Sequence, residues 1–395
     1  MPVVSKGRTS PRYLELGKAD GLERSPHQIL WWHPGLMDYR LKFFSMLTMK
    51  YSISFLFQTQ PQVRHTFDRV YCSKRSILSN RLGIYWISPY DIPKLYAGIK
   101  RSDIFVSSFI WNPYTIVGLG LCKLFGKKLI VWEEVNRFRP GLRPAIKNTI
   151  RKSICKHIDA FYVAGDVQSN ALRKLGVPPE KIFMANEYPS QVYSRLKSSE
   201  APLRIDKDVK VILFIGRLVE FKGVEYLIRA FKQVESVHGG VTLLIAGDGP
   251  LRAQLETLSR TLGVKNAFFL GQVTDLQKAY LLNRSSIVVV PSIVTKKIGE
   301  GSGPITVLEA LSAGKPVVGS TALGGTAVFI QNGINGFIVP EKDANALAEK
   351  IEWLLANPIP TSRVLSNFNK IKGVEHQVEQ FENAVNYILS GKQQR

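Results

Sequence analysis

Between Lys210 and Gly319 short apolar runs alternate with segments of helical period, and that alternation leaves few folds open to the chain. Strands are expected at Lys210–Ile215, Val241–Ala246, Ala267–Leu270, Ser286–Val290 and Pro316–Gly319. Helices are expected between them at Gly223–Val237, Pro250–Leu262, Leu276–Asn283 and Pro304–Ala313. Repeated β-α-β in this order implies a parallel, doubly wound sheet. The first half repeats the theme less regularly, with strands expected at Gln28–Trp32, Ser52–Gln58, Ile104–Ser107, Lys128–Trp132 and Ala160–Val163. Helical stretches separate these, notably Asn112–Phe125 and Arg143–His157. The expected fold class is α/β, with two Rossmann-like doubly wound domains facing across a cleft. In such proteins a ligand lies beyond the carboxyl ends of the strands.

The chain has 395 residues, a length that suits more than one domain. Residues 1–25 are polar and basic and are expected to form a flexible tail; 26–200 make the first domain and 201–373 the second. The polar stretch Arg195–Asp208 reads as the connection between them. Residues 374–395 hold an amphipathic last helix, Val374–Leu389, that can pack back on the first domain.

The net charge is +22, and it is unevenly spread. Residues 1–200 hold 31 Lys and Arg against 14 Asp and Glu, while 201–395 hold 22 against 17. The basic half should therefore meet something anionic, such as a membrane surface, a phosphorylated acceptor or nucleic acid. No RNA- or DNA-reading motif accompanies the charge, which disfavours nucleic acid. The three cysteines, Cys72, Cys122 and Cys155, show no C-x-x-C spacing and read as reduced thiols rather than a zinc site. The longest apolar candidate, Ile116–Trp132, is interrupted by Lys123, Lys127 and Lys128, so a membrane span is not expected. Residues 1–25 have no apolar core of a secretory signal. A cytoplasmic protein, peripheral on the cytoplasmic face of a membrane, is the resulting expectation.

Chemistry concentrates in the second half. VILFIGRLVEFKG, residues 211–223, is an apolar strand running into a turn that carries Arg217 and, five residues on, Lys222. Alone, two such cations are more often solvated surface groups. Their place just past a strand end, with Gly223 allowing a tight turn, favours a ligand instead. GEGSGPITVLEALSAGKPVV, residues 299–318, is a glycine-rich loop that opens a helix carrying Glu309. Backbone amides and a helix start favour an anion there. The Glu309 carboxylate can accept hydrogen bonds from vicinal hydroxyls, as on a ribose. Together these groups suit an anionic diphosphate joined to a hydroxylated sugar. AGDGP, residues 246–250, is on its own only a strand-to-helix turn.

In order, GRLVEFKG (216–223), AGDGP (246–250), GEGSGPITVLEA (299–310), GKPVV (314–318) and GGTAVFIQNGINGFIVP (324–340) make the second half resemble the donor-binding domain of family 4 glycosyltransferases, which have the GT-B fold. The resemblance covers about 130 residues. It implies that domain 26–200 binds an acceptor and 201–373 a nucleoside-diphosphate sugar. Gly216, Arg217, Lys222, Gly249, Gly303, Pro304, Ile305 and Glu309 would form the donor set. Arg217 and Lys222 would hold the diphosphate and stabilise charge on the leaving group, and Glu309 would bind the ribose. The family's E-x7-E element places a first glutamate eight residues before the one on the ribose, and that first glutamate would contact the donor sugar. Here Gly301 stands eight residues before Glu309 and Glu300 nine, so Glu300 serves only through a one-residue bulge. Val328 stands where many relatives carry an acid. The resemblance further implies transfer with retention of anomeric configuration, no metal and no cofactor, the nucleotide-sugar being a substrate. Asp206-Lys207-Asp208 has the spacing of metal-dependent transferases but lies before a strand, far in sequence from the donor loops.

The acceptor side carries weaker candidates. His33 and Gly35 follow the first strand, and Glu133 or Glu134 ends another. A lone histidine is more often structural, and adjacent strand residues point to opposite faces, so one of the two carboxylates at most meets the cleft. Residues 137–157 hold seven Lys or Arg and no acid, with Ile146, Ile150 and Ile154 on one stripe. The stripe reads as a core-packed face and the cations as a solvated one, with attraction to anionic lipid headgroups as the functional reading. The leading expectation is sugar transfer to a glycan or lipid-linked acceptor. Its alternatives are a non-catalytic nucleotide-sugar or nucleic-acid binder, and an epimerase or synthase on the same fold.

Overall fold

In the computed structural model of the protein, residues 25–34, 40–57, 70–72, 91–133, 144–186, 188, 189, 193, 196, 198–295 and 305–391 are described. Strands β1 (Gln28–His33), β2 (Ser52–Phe57), β3 (Val70–Cys72), β4 (Ile104–Ser108), β5 (Lys128–Glu133), β6 (Ala160–Val163) and β7 (Ile182–Met184) form one sheet in the order β3-β2-β1-β4-β5-β6-β7. Strands β8 (Lys210–Ile215), β9 (Val241–Ala246), β10 (Ala267–Gly271), β11 (Ile287–Val290), β12 (Val317–Ser320) and β13 (Gly336–Val339) form the other, in the order β10-β9-β8-β11-β12-β13. Every pairing in both is parallel. The strand order reverses between β1 and β4 and again between β8 and β11. At such switch points the flanking connections leave in opposite directions and a crevice opens.

The helices among the described residues are α1 (Leu41–Lys50), α2 (Ile92–Arg101), α3 (Pro113–Phe125), α4 (Pro144–Lys156), α5 (Asp166–Lys174), α6 (Val224–Val237), α7 (Arg252–Thr261), α8 (Asp275–Arg284), α9 (Thr306–Ser312), α10 (Ala344–Ala356), α11 (Thr361–Phe368) and α12 (Val374–Leu389). None is long and apolar enough to cross a membrane.

Side chains alternate across each strand, so β1 serves two cores. Ile29 and Trp31 face α1 and α12, while Leu30 and Trp32 face α2, α3 and α4. Helix α12 follows the second domain in sequence yet completes the first. Its Val374, Val378, Phe381, Val385 and Ile388 recur at helical spacing and are buried in the first core. Phe381 stacks on Trp31 at 4.9 Å, and Tyr162 donates its hydroxyl to the Gln377 carbonyl at 3.0 Å. Fully burying such an aromatic contributes roughly 1.5–3 kcal/mol, so α12 ties the two domains together chiefly through apolar area. Surface pairs Lys42–Glu375 (3.0 Å) and Lys50–Glu382 (2.7 Å) add little to that. Cys122 and Cys155 are buried free thiols, each pushed up to about 12 by desolvation, and so are unreactive. Cys72 lies on β3.

Candidate active site

The loop after β8 is held on both sides of the switch point. The Leu218 N–H donates to the Asp248 carbonyl at 2.9 Å, and the Leu251 N–H donates to the Leu218 carbonyl at 3.1 Å. Gly249 is glycine because a Cβ there would sit 2.5 Å from the Leu218 carbonyl oxygen. The AGDGP turn is thus the backing of the Arg217 loop. A short 3-10 turn, Glu220–Lys222, then ends at Gly223 with φ +64°. A Cβ on Gly223 would lie 1.9 Å from the Pro291 carbonyl oxygen, and the Ile293 N–H donates to the Phe221 carbonyl at 2.9 Å. Clamped between the β9 turn and the segment after β11, the loop presents both cations at the crevice.

Phe221 lies between them. The Arg217 guanidinium carbon is 5.9 Å and the Lys222 ammonium 5.4 Å from the ring centre. Arg217 is exposed and Lys222 half-buried. Desolvation, and secondarily the Arg217 charge, push the Lys222 ammonium down to about 8. Among the described residues no carboxylate pairs with either cation, whereas Arg252 and Lys278 in the same domain do have acidic partners. Two like charges held together without an internal anion are suited to an external one.

Helix α9 begins beside the same strand end, where the Thr306 hydroxyl donates to the Ile215 carbonyl at 3.4 Å. Ile305 precedes the helix, and its carbonyl accepts the Glu309 N–H at 2.9 Å. Glu309 is buried. Its Oε1 accepts from the Lys278 ammonium at 2.7 Å and the Tyr193 hydroxyl at 3.3 Å, while Oε2 has no hydrogen bond among the described residues. Desolvation is the largest single influence on Lys278 and opposes its charge, but Glu309 and Tyr193 together outweigh it and hold the ammonium above its usual range. Burial, then Glu309, raises the Tyr193 phenol well above its ordinary value. Tyr193 is pinned further by its N–H to the Ser312 hydroxyl at 3.1 Å and by Asn283, whose side chain reaches the Tyr193 carbonyl at 3.3 Å. Neither Lys278 nor Tyr193 was among the residues singled out in sequence, and no local pattern marks them.

The other candidates are dispersed. Glu300, Gly301, Gly303 and Pro304, and on the first domain Gly35 and Glu134, lie outside the described residues. His33 ends β1, buried, with Nε2 hydrogen-bonded to the Arg40 guanidinium and the Trp132 ring centre 5.6 Å away. Arg40 in turn stacks over Trp132 at 4.8 Å. Glu133 leaves the opposite face of its sheet, where Oε2 accepts the Ile110 N–H at 3.0 Å. His33 and Glu133 are therefore not brought together. Asp206, Lys207 and Asp208 are exposed at the amino end of β8, a full strand away from Arg217.

The two domains meet carboxyl end to carboxyl end. A Cβ on Gly165, after β6, would come 3.8 Å from the Gly325 Cα, after β12. Beside this contact is a cavity of about 410 Å³ between Asn186, Val328, Gln331, Lys370, Lys372 and His376. It lies at the junction of the domains and contains neither Arg217 nor Lys222.

Residues 197–372 match the family Glycosyl transferases group 1. The chain is 38% identical over 154 residues to an uncharacterized glycosyltransferase of Methanocaldococcus jannaschii, covering 39% of this chain and 37% of that protein. It is 31% identical over 171 residues to the D-rhamnosyltransferase WbpZ of Pseudomonas aeruginosa, covering 43% of this chain and 42% of that one. The chain thus spans less than half the length of these curated relatives. Among solved structures, Anabaena HepE in complex with UDP superposes with a TM-score of 0.69 at 16% identity, over 91% of this chain and 99% of that one. That likeness extends through both domains, and the fold is the two-domain α/β GT-B fold.

Proposed function

We propose that the protein is a glycosyltransferase that moves a sugar from a nucleoside-diphosphate donor to a glycan or lipid-linked acceptor at an anionic membrane surface. The observation that carries the proposal is the pair Arg217 and Lys222, fixed at the β8–β11 switch point with no carboxylate partner among the described residues. Breaking the bond from the anomeric carbon to the diphosphate leaves charge on the phosphate oxygens. Two pre-placed cations stabilise that charge more as it grows, which lowers the barrier. They supply electrostatics of the kind a metal supplies elsewhere, and we include metal independence in the proposal. Glu309 offers Oε2 to a ribose hydroxyl while Lys278 and Tyr193 hold Oε1. Glu300 is the candidate for the donor sugar. Retention of configuration follows the motif resemblance. UDP in the HepE complex and the match over residues 197–372 support the donor class.

The test is a screen of UDP-, GDP-, ADP- and dTDP-sugars with EDTA present, run beside Lys222→Ala. Release of a nucleoside diphosphate by the wild type alone, with retained configuration in the product by NMR, is the expected result. A wild type that binds none of the donors, or a Lys222→Ala variant that turns over normally, refutes the reading.

A further inference from the structure

Helices α2, α3 and α4 all bury side chains in the core on one face of the first sheet. Between them they contain eight Lys or Arg and no Asp or Glu. Their outer surface is also apolar. Half of the large apolar side chains exposed among the described residues lie on this layer: Ile92, Tyr96, Trp111, Ile116, Leu124 and Ile150. Leu124 is 70% exposed and Trp111 43%. Helix α3 has one charged residue in thirteen, Lys123, and its outward stripe runs Ile116, Gly120, Leu124. A helix apolar on every side is normally covered on every side.

Side-chain contacts cross the layer. The Tyr114 hydroxyl on α3 donates to Asp91, at the start of α2, at 2.5 Å. Tyr96 packs edge-on against Phe125 at 5.2 Å, and the Arg151 guanidinium lies over Trp111 at 5.5 Å. Trp111 sits three residues past the end of β4, so the patch reaches the rim of the crevice.

We infer that the outer face of α2–α3–α4 docks on an anionic lipid bilayer, with Ile116, Leu124 and Trp111 entering the headgroup layer and the surrounding lysines and arginines on lipid phosphates. The inference rests on, and makes specific, the membrane part of the proposed function. Apolar groups ringed by cations match a bilayer surface, apolar below and anionic above. A polynucleotide neutralises cations but leaves the aliphatic stripe of α3 in water. A second copy of the chain would bring eight cations against eight.

The test is flotation of the full-length protein with vesicles of phosphatidylcholine containing phosphatidylglycerol, and with phosphatidylcholine alone. The wild type should float only with the anionic vesicles, and less as salt rises. Replacing Lys100, Lys123 or Lys152 by Gln should each lower partitioning about fivefold, the equivalent of ~1 kcal/mol per cation. The pair Ile116→Gln with Leu124→Gln should lower it about tenfold, whereas Val237→Gln, exposed on the second domain, should not. Donor hydrolysis without vesicles should be unchanged in all of these. Flotation that survives the α3 pair overturns the inference. So does binding of polyuridylate without flotation, or a dimer in solution that Leu124→Gln dissociates. Flotation without any donor turnover leaves the surface standing and removes the transferase reading alone.

Discussion

Lys222 gives the sharpest test of the proposed donor site because its charge depends on what is bound. In the free protein, burial and Arg217 hold its ammonium near 8. A diphosphate supplies the missing counter-charge and returns the pKa to or above the ordinary lysine value of about 10.4. The free site is then charged below pH 8 and neutral above it, while the bound site stays charged. Affinity is therefore complete at low pH and falls as pH rises through 8. With a free pKa of about 8, roughly nine-tenths of the sites are charged at pH 7 and one-tenth at pH 9, so the dissociation constant for a nucleoside diphosphate should rise about tenfold over that interval. At pH 8 binding should take up about half a proton. Calorimetry in two buffers of different ionisation enthalpy reads both quantities. The ligand's last phosphate proton, with a pKa near 6, leaves the upper interval clean. Lys222→Arg should bind without this pH dependence, and Lys222→Met should bind more weakly and also without it. An affinity that is flat from pH 7 to pH 9 in the wild type, or a slope that persists in Lys222→Met, refutes the electrostatic account of the site.

Two further outcomes follow from the clamps around it. Gly223→Ala forces a side chain into a positive φ and against the Pro291 carbonyl; it should cost at least about 2 kcal/mol in urea unfolding, and an unchanged midpoint would show that the loop relaxes freely. Lys278→Met leaves the buried Glu309 carboxylate uncompensated and should cost roughly 3–5 kcal/mol, most of which Lys278→Met with Glu309→Gln should restore; a double variant as unstable as the single would mean that packing, not charge, holds the pair.

Much of the second domain can be read from sequence because its strands are buried on both faces and so appear as unbroken apolar runs. The short edge strands β3, β7 and β13, with three or four residues each, are too brief for periodicity to register, although β13 lies inside a recognised motif. Helices α1, α2, α5, α10 and α11 are not among those expected from sequence, even though α10 carries a local cap, the Asp343 carboxylate accepting the Ala346 N–H at 2.9 Å. The isoleucine stripe of α4 was misread in part. Ile150 is exposed and Ile154 half-buried, while Cys155 and Ile158 face the core. A stripe at every fourth residue fixes a helical face but not which way that face turns; here Cys155 and Ile158 take the core side and Ile150 is left outside.

The candidate site divides along the same physical line. Arg217, Lys222, Gly223 and Gly249 are legible because the requirement is local: a strand end, a cation, and a backbone approached too closely for a Cβ. The groups that orient Glu309 are not, because Lys278 is 31 residues away and Tyr193 is 116 away, and only the closed fold joins them. The same holds for Arg40, whose bond to His33 fixes an imidazole that sequence alone leaves free to be either ligand or core. A motif therefore locates where an anion can be met, whereas the partners that set a carboxylate's orientation come from packing. For this chain that places the cation pair within reach of sequence reasoning and the orientation of Glu309 beyond it. A lysine on α8 and a tyrosine just before the segment joining the two domains decide which Glu309 oxygen is left for a ligand, and Asn283 bonds both that tyrosine and Leu196 of the segment, so the candidate site and the domain connection share one hydrogen-bond network.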